Sequence, residues 1–167
     1  VCYSEHPNPS KPYYGSKSEE LKGFRKKLES VMLLNEAITL SEAFFSDTKK
    51  YLFKRIKELS DLFDEEDEDG EISVGSLKSM LTFLFSINEF SKPVLTLNEN
   101  GTFQISWKKD NNNLVILRFK EEESLDYVIF RSSKYEQKPI ILNGKMNVFD
   151  FKDYFVKLGV YAQISKK

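Results

Sequence analysis

Cysteine and histidine are nearly missing from this sequence, with Cys2 and His6 the only examples. A lone thiol cannot close an internal disulfide, so packing must hold the fold, and a reducing compartment, the cytoplasm, is expected. With its one imidazole beside Pro7, the chain offers no histidine base for a catalytic triad or dyad on its body. Cys2 as a nucleophile has no evident base near it, and zinc sites need Cys and His clusters that are not there. The seven glycines are scattered and form neither a Walker loop nor a dinucleotide fingerprint. No apolar run approaches the roughly 20 residues that span a bilayer, and no signal-peptide pattern opens at Val1, so no membrane partner is expected. A net charge of -1 lacks the basic excess of nucleic-acid-binding domains. These absences lead us to expect neither an enzyme nor a cofactor.

What is present is a core rich in rings. Of 167 residues, 40% are hydrophobic and 31% charged, in the range of a soluble globular chain with one ordinary core, and 14 Phe and 8 Tyr supply much of the burial. The clearest stretch runs from Pro93 to Ser132. Val94, Leu95 and Leu97 lead into Asn98-Glu99-Asn100-Gly101, where the Asn-Gly pair is suited to the positive φ angles of a tight hairpin. Phe103, Ile105 and Trp107 then alternate with Thr102, Gln104 and Ser106, the period of a strand with one buried face. Trp107 is therefore expected in the core, with an exposed partner-binding anchor as the alternative. Runs from Leu114 to Phe119 and from Leu125 to Phe130 complete a four-stranded antiparallel meander, and the near-continuous apolar third run suits a central strand covered on both faces. Ile140, Ile141 and Leu142 before Asn143-Gly144 predict a fifth short strand and another hairpin turn.

Helices flank this sheet. Residues 1–15, with Pro7, Pro9 and Pro12, read as an extended tail, and residues 16–167 as a single α+β domain, helical over about 16–90 with sheet and closing helix over about 91–165. Ser16 and Glu19 have capping-box spacing before a first helix that reaches about Leu34. A long second helix carries Tyr51, Leu52, Ile56, Leu59, Leu62 and Phe63 on one side and Lys49, Lys50, Lys54, Arg55 and Lys57 largely on the others. Ser73 is placed to cap a third helix with Leu77, Met80, Leu81, Leu84 and Phe85 inward. Asn147 is expected to cap the last helix and Gly159 to end it. The expected architecture is N-terminal helices packed on a four- to five-stranded antiparallel meander, with a C-terminal helix.

Two patterns bear on chemistry. Between the second and third helices, Glu65, Asp67 and Asp69 fall at the first, third and fifth positions of an EF-hand-like loop with Gly70 at the sixth. Ser76 then stands at the twelfth, where a bidentate glutamate is needed, so an acidic solvated linker is expected and calcium binding is the alternative. The candidate partner-binding residues are basic: Lys50, Lys54, Arg55 and Lys57 on the second helix, and Arg118, Arg131 and Lys134, which could form one basic site on a side of the sheet.

Leu59 to Phe63, Asp67 to Ser73, Pro93-Val94-Leu95-Thr96-Leu97, Asn100-Gly101, Ile105-Ser106-Trp107, Leu117-Arg118-Phe119 and Tyr127-Val128-Ile129-Phe130 together resemble a broad group of uncharacterised small bacterial and mobile-element proteins. Their pattern is an acidic Trp-Asp-Gly segment, an Ile-Ser helix start, a proline before the first strand, an Asp-Gly turn and a strand ending in Trp. Here Phe63 stands in place of the first Trp and Asn100 in place of the Asp. The resemblance spans about Leu59 to Gly159 and carries over no catalytic residue. It implies a non-enzymatic protein-binding accessory protein of bacteria or phage, antitoxin- or immunity-like, whose partner is another protein such as a toxin or defence component. The alternative from another class is an RNA-binding or nuclease-like protein using Arg118, Arg131 and Lys134.

Overall fold

Alternation at a period of two becomes strand, and spacing at three and four becomes helix, over most of the chain. The computed structural model describes residues 29, 32–36, 39, 46–66, 72–87, 90–133 and 138–164. Helices α1 (Asp47–Glu66) and α2 (Val74–Ser86) precede strands β1 (Val94–Leu97), β2 (Phe103–Asp110), β3 (Asn113–Phe119), β4 (Ser124–Arg131) and β5 (Ile140–Asn147). Two short helices, α3 (Phe151–Lys157) and α4 (Tyr161–Ile164), follow. The strands are antiparallel throughout and lie in the sheet in chain order, so the α+β architecture expected above is the one found. The Pro-rich tail and most of the expected first helix lie outside the described residues, although residues 32–36 are helical.

The inner face of the sheet is a wall of apolar side chains. Phe103, Ile105, Val115, Leu117, Phe119, Leu125 and Ile129 are all fully buried, and Trp107 joins them. Its indole Nε1 donates to the Ser91 carbonyl at 2.7 Å, satisfying the polar end of a buried ring. Phe83 of α2 sits at the centre, 5.3 Å from the Phe119 ring and edge-on to Phe151 at 4.8 Å. Fully burying such a ring contributes about 1.5–3 kcal/mol. Phe151 stacks in turn on Phe155 within α3, and Phe155 meets the Tyr127 ring of β4 edge-on at 6.3 Å, which sets α3 against the same wall.

Helix α2 is anchored by hydroxyls. Ser73 Oγ accepts from Ser76 N as the N-cap, as expected. Ser76 Oγ then accepts from Phe103 N and donates to the Phe119 carbonyl, each at 2.9 Å, tying α2 to β2 and β3.

Several local expectations are corrected. Of Asn100-Gly101 only Gly101 has a positive φ, 70°, and the turn is closed by Gly101 N to the Asn98 carbonyl. Asn143-Gly144 makes no turn; both lie inside β5, opposite Val128 and Tyr127. Asn147 does not cap the last helix: its Oδ1 accepts from Phe149 N, and the N-cap is Asp150. Phe83, not Phe85, faces the core from α2; Phe85 is 40% exposed. Lys49 is buried, where a solvent-facing position was expected. Lastly, among the described residues no element covers the second face of β3: Val115, Leu117 and Phe119 are buried, while Arg118 is exposed and Leu114 and Ile116 are half-buried.

Candidate functional site

Strand register determines what the outer face presents. One cross-strand row runs Thr96, Gln104, Arg118, Asp126, Lys145, and the next runs Val94, Ser106, Ile116, Val128, Asn143. A third runs Lys108, Leu114, Phe130, Ile141. Leu114, Ile116, Val128 and Phe130 are half-buried, while Val94 is 62% and Ile141 54% exposed. The result is an apolar block across β3, β4 and β5 on the side of the sheet opposite the buried wall. A half-buried apolar block that runs out to the exposed Ile141 and carries a polar border has the composition of an interaction site.

The border is basic. Arg118 is exposed, its Nη2 donating to Gln104 Oε1 at 3.3 Å, and Asp126 pairs with Lys120 at 3.6 Å. Lys108 and Lys145 are exposed on either side of the block. Beyond Arg118, the β1–β2 turn and the end of β3 enclose an open cleft of ≈ 600 Å³ lined by Leu97, Asn98, Glu99, Asn100, Arg118 and Lys120.

The expected basic residues are not assembled into one site. Parity along β3 and β4 sends Arg118 outward and Arg131 inward. Arg131 Nη1 donates to the Leu158 carbonyl at 2.7 Å, so it secures the end of α3. Lys134 lies outside the described residues, as do Asp67 and Asp69 of the calcium-loop alternative, while Glu65 falls in the last turn of α1. Lys50, Lys54 and Lys57 are exposed on α1, and Arg55 pairs with Glu58 at 3.0 Å. Arg55 also lines a cleft of ≈ 400 Å³ with Tyr51, Glu58, Lys92 and Val94, where Lys92 Nζ sits 3.6 Å from the Tyr51 ring centroid. That cleft joins Arg55 of α1 to Val94 at the β1 margin of the outer face.

Titratable groups elsewhere are tuned by structure. The Tyr154 hydroxyl, 2.9 Å from the Tyr127 hydroxyl, together with burial, pushes the Tyr127 phenol up to about 12. A phenol so placed holds its proton at neutral pH. Burial lowers the Lys49 ammonium, and the Asn113 amide, with the Asn112 backbone N–H, lowers the Asp110 carboxyl. Among the described residues no three His, Cys, Asp or Glu side chains gather where they could hold a metal ion.

The apolar block is not expected from the sequence, since a third run covered on both faces places Leu114 and Ile116 in the interior. Their signal was there: β3 is apolar at both parities, which calls for either a second covering layer or a partner. The chain matches no family model, no curated protein and no solved structure.

Proposed function

We propose that the chain is a non-enzymatic protein-binding accessory protein of bacteria or phage, antitoxin- or immunity-like, which neutralises or regulates a toxin or defence component in the cytoplasm. The observation that supports protein binding is the apolar block Leu114, Ile116, Val128, Phe130 and Ile141, bordered by Lys108, Arg118 and Lys145. Apolar centre and charged rim are the composition of a protein interface. The toxin or defence assignment rests on the sequence resemblance alone.

The RNA-binding or nuclease-like alternative is less well supported, since Arg118 and Arg131 lie on opposite faces of the sheet. Single-stranded nucleic acid is also held by stacking on rings, and Phe130 is the only ring in the three outer rows. Co-expression with the product of the adjoining reading frame tests the proposal. The expected result is a co-purifying complex, clean of nucleic acid by absorbance, that Val128→Lys disrupts while the variant keeps its melting temperature. A complex indifferent to Val128→Lys, or a preparation carrying nucleic acid, counts against it.

A further inference from the structure

We infer that the partner presents an acidic amphipathic helix, which lies on the outer face across β3, β4 and β5; this rests on reading that face as the binding surface. The block occupies two adjacent rows on three strands: Ile116 and Val128 in one, Leu114, Phe130 and Ile141 in the other. Strands lie about 4.8 Å apart and same-face residues about 6.8 Å apart along a strand, so the footprint is about 10 by 7 Å. One helix, about 10 Å across with its side chains, covers that area. An extended segment would dock differently, adding to β1 or β5 at a sheet edge through its backbone, whereas a face is packed by side chains.

Charge decides the helix's flank. In the row beside the block, Arg118 on β3 and Lys145 on β5 stand two strand spacings apart, about 9.6 Å, on either side of Asp126. The Asp126 carboxylate is already taken by Lys120. Two carboxylates seven residues apart on a helix are separated by about 10.5 Å, which matches the two cations when the helix axis runs across the strands. Lys108 stands on β2 in the same row as Leu114, Phe130 and Ile141, and so gives the β2 end of the block the same sign. A second copy of this chain is a poorer occupant, because a two-fold contact of identical faces sets this basic border against itself.

The test is selection of a displayed library of 18-residue helical peptides against the full chain, followed by affinity measurement on the selected peptides. The expected binders carry an apolar stripe and two acidic residues seven apart. Their Kd should rise at least ten-fold on Val128→Lys and on the Arg118→Glu/Lys145→Glu double variant, and exchange of the two peptide acids for lysine should restore binding to the double variant. Ile116→Lys serves as the apolar variant if Val128→Lys fails to fold by circular dichroism. Binders lost on Val128→Lys but lacking the acidic pair, or indifferent to charge reversal, overturn the helix and leave the outer face as the binding surface. No binders, or binders indifferent to both lysine substitutions, overturn both readings. A dimer in solution that Val128→Lys dissociates overturns the helix in favour of a second copy.

Discussion

Tyr127 lays its phenol across Gly144, its directly paired residue on β5, so closely that a Cβ added to Gly144 would stand 2.7 Å from the hydroxyl oxygen. The glycine is there for space. Gly144→Ala should cost about 1–3 kcal/mol through overpacking. Part of that cost should disappear in a Tyr127→Phe background, which removes the nearest atom and leaves ring carbons at 3.0 and 3.1 Å. Denaturant midpoints of the two single variants and the double variant measure the coupling, and strictly additive losses would show that the close approach is irrelevant.

The same phenol makes stability depend on alkaline pH. Its folded pKa of about 12 lies above the ordinary value of 10.0, so the folded state holds the proton more tightly than the unfolded chain. That contribution is complete below pH 10 and is lost as pH rises through about 12. The melting-temperature gap between the wild type and Tyr127→Phe should therefore narrow over this window. A gap constant across it would refute the assignment.

Two serines three residues apart on α2 should respond in opposite directions. Ser76→Ala strands the Phe103 N–H and the Phe119 carbonyl in the core, at a cost of about 1–3 kcal/mol. Ser79 Oγ is buried with no hydrogen-bond partner, so Ser79→Ala should be neutral or stabilising. Chemical denaturation of both variants checks the contrast; equal losses would contradict it.

At the β3–β4 turn, Glu122 and Glu123 hold φ angles of 57° and 53°, the left-handed region that favours Asn and Gly. Glu122→Asn with Glu123→Gly should relieve that strain. A net gain of about 1 kcal/mol would raise Tm by about 2–4 °C for a chain of this size. Calorimetry showing a lower Tm would mean that the glutamate side chains contribute contacts worth more than the strain.

Local pattern was enough to read the first four strands, because each inner row of β2, β3 and β4 repeats apolar residues at every second position. It failed where a residue serves a neighbour in space. Asn143-Gly144 looks like a turn until Tyr127 is known to cover it. Phe83 and Phe85 are equally apolar, and only the position of the Trp107, Phe119 and Phe151 rings selects Phe83 for the core. The candidate surface was half legible. Arg118 stands out as a charge in an apolar strand, but β4 is apolar at both parities, which hides the inward side of Arg131, and joining Ile116 to Val128 requires cross-strand register, which no single strand reveals.

Chain-order pairing also says something about how the molecule comes to be. Each ribbon finds its partner a few residues away, so the entropy lost in closing the connecting loops is small and the sheet can zip outward from any hairpin. Latecomers are the distant ties, Ser76 to Phe119 across 43 positions and Ser91 to Ile164 across 73. Kinetic φ-values should accordingly be high in the β2–β3 and β3–β4 hairpins and near zero at Ile164, and the reverse ranking would place the nucleus in the helices. Assembly is thus expected to be a rapid local event followed by a slower clasp, in which Ile164 closes on Ser91.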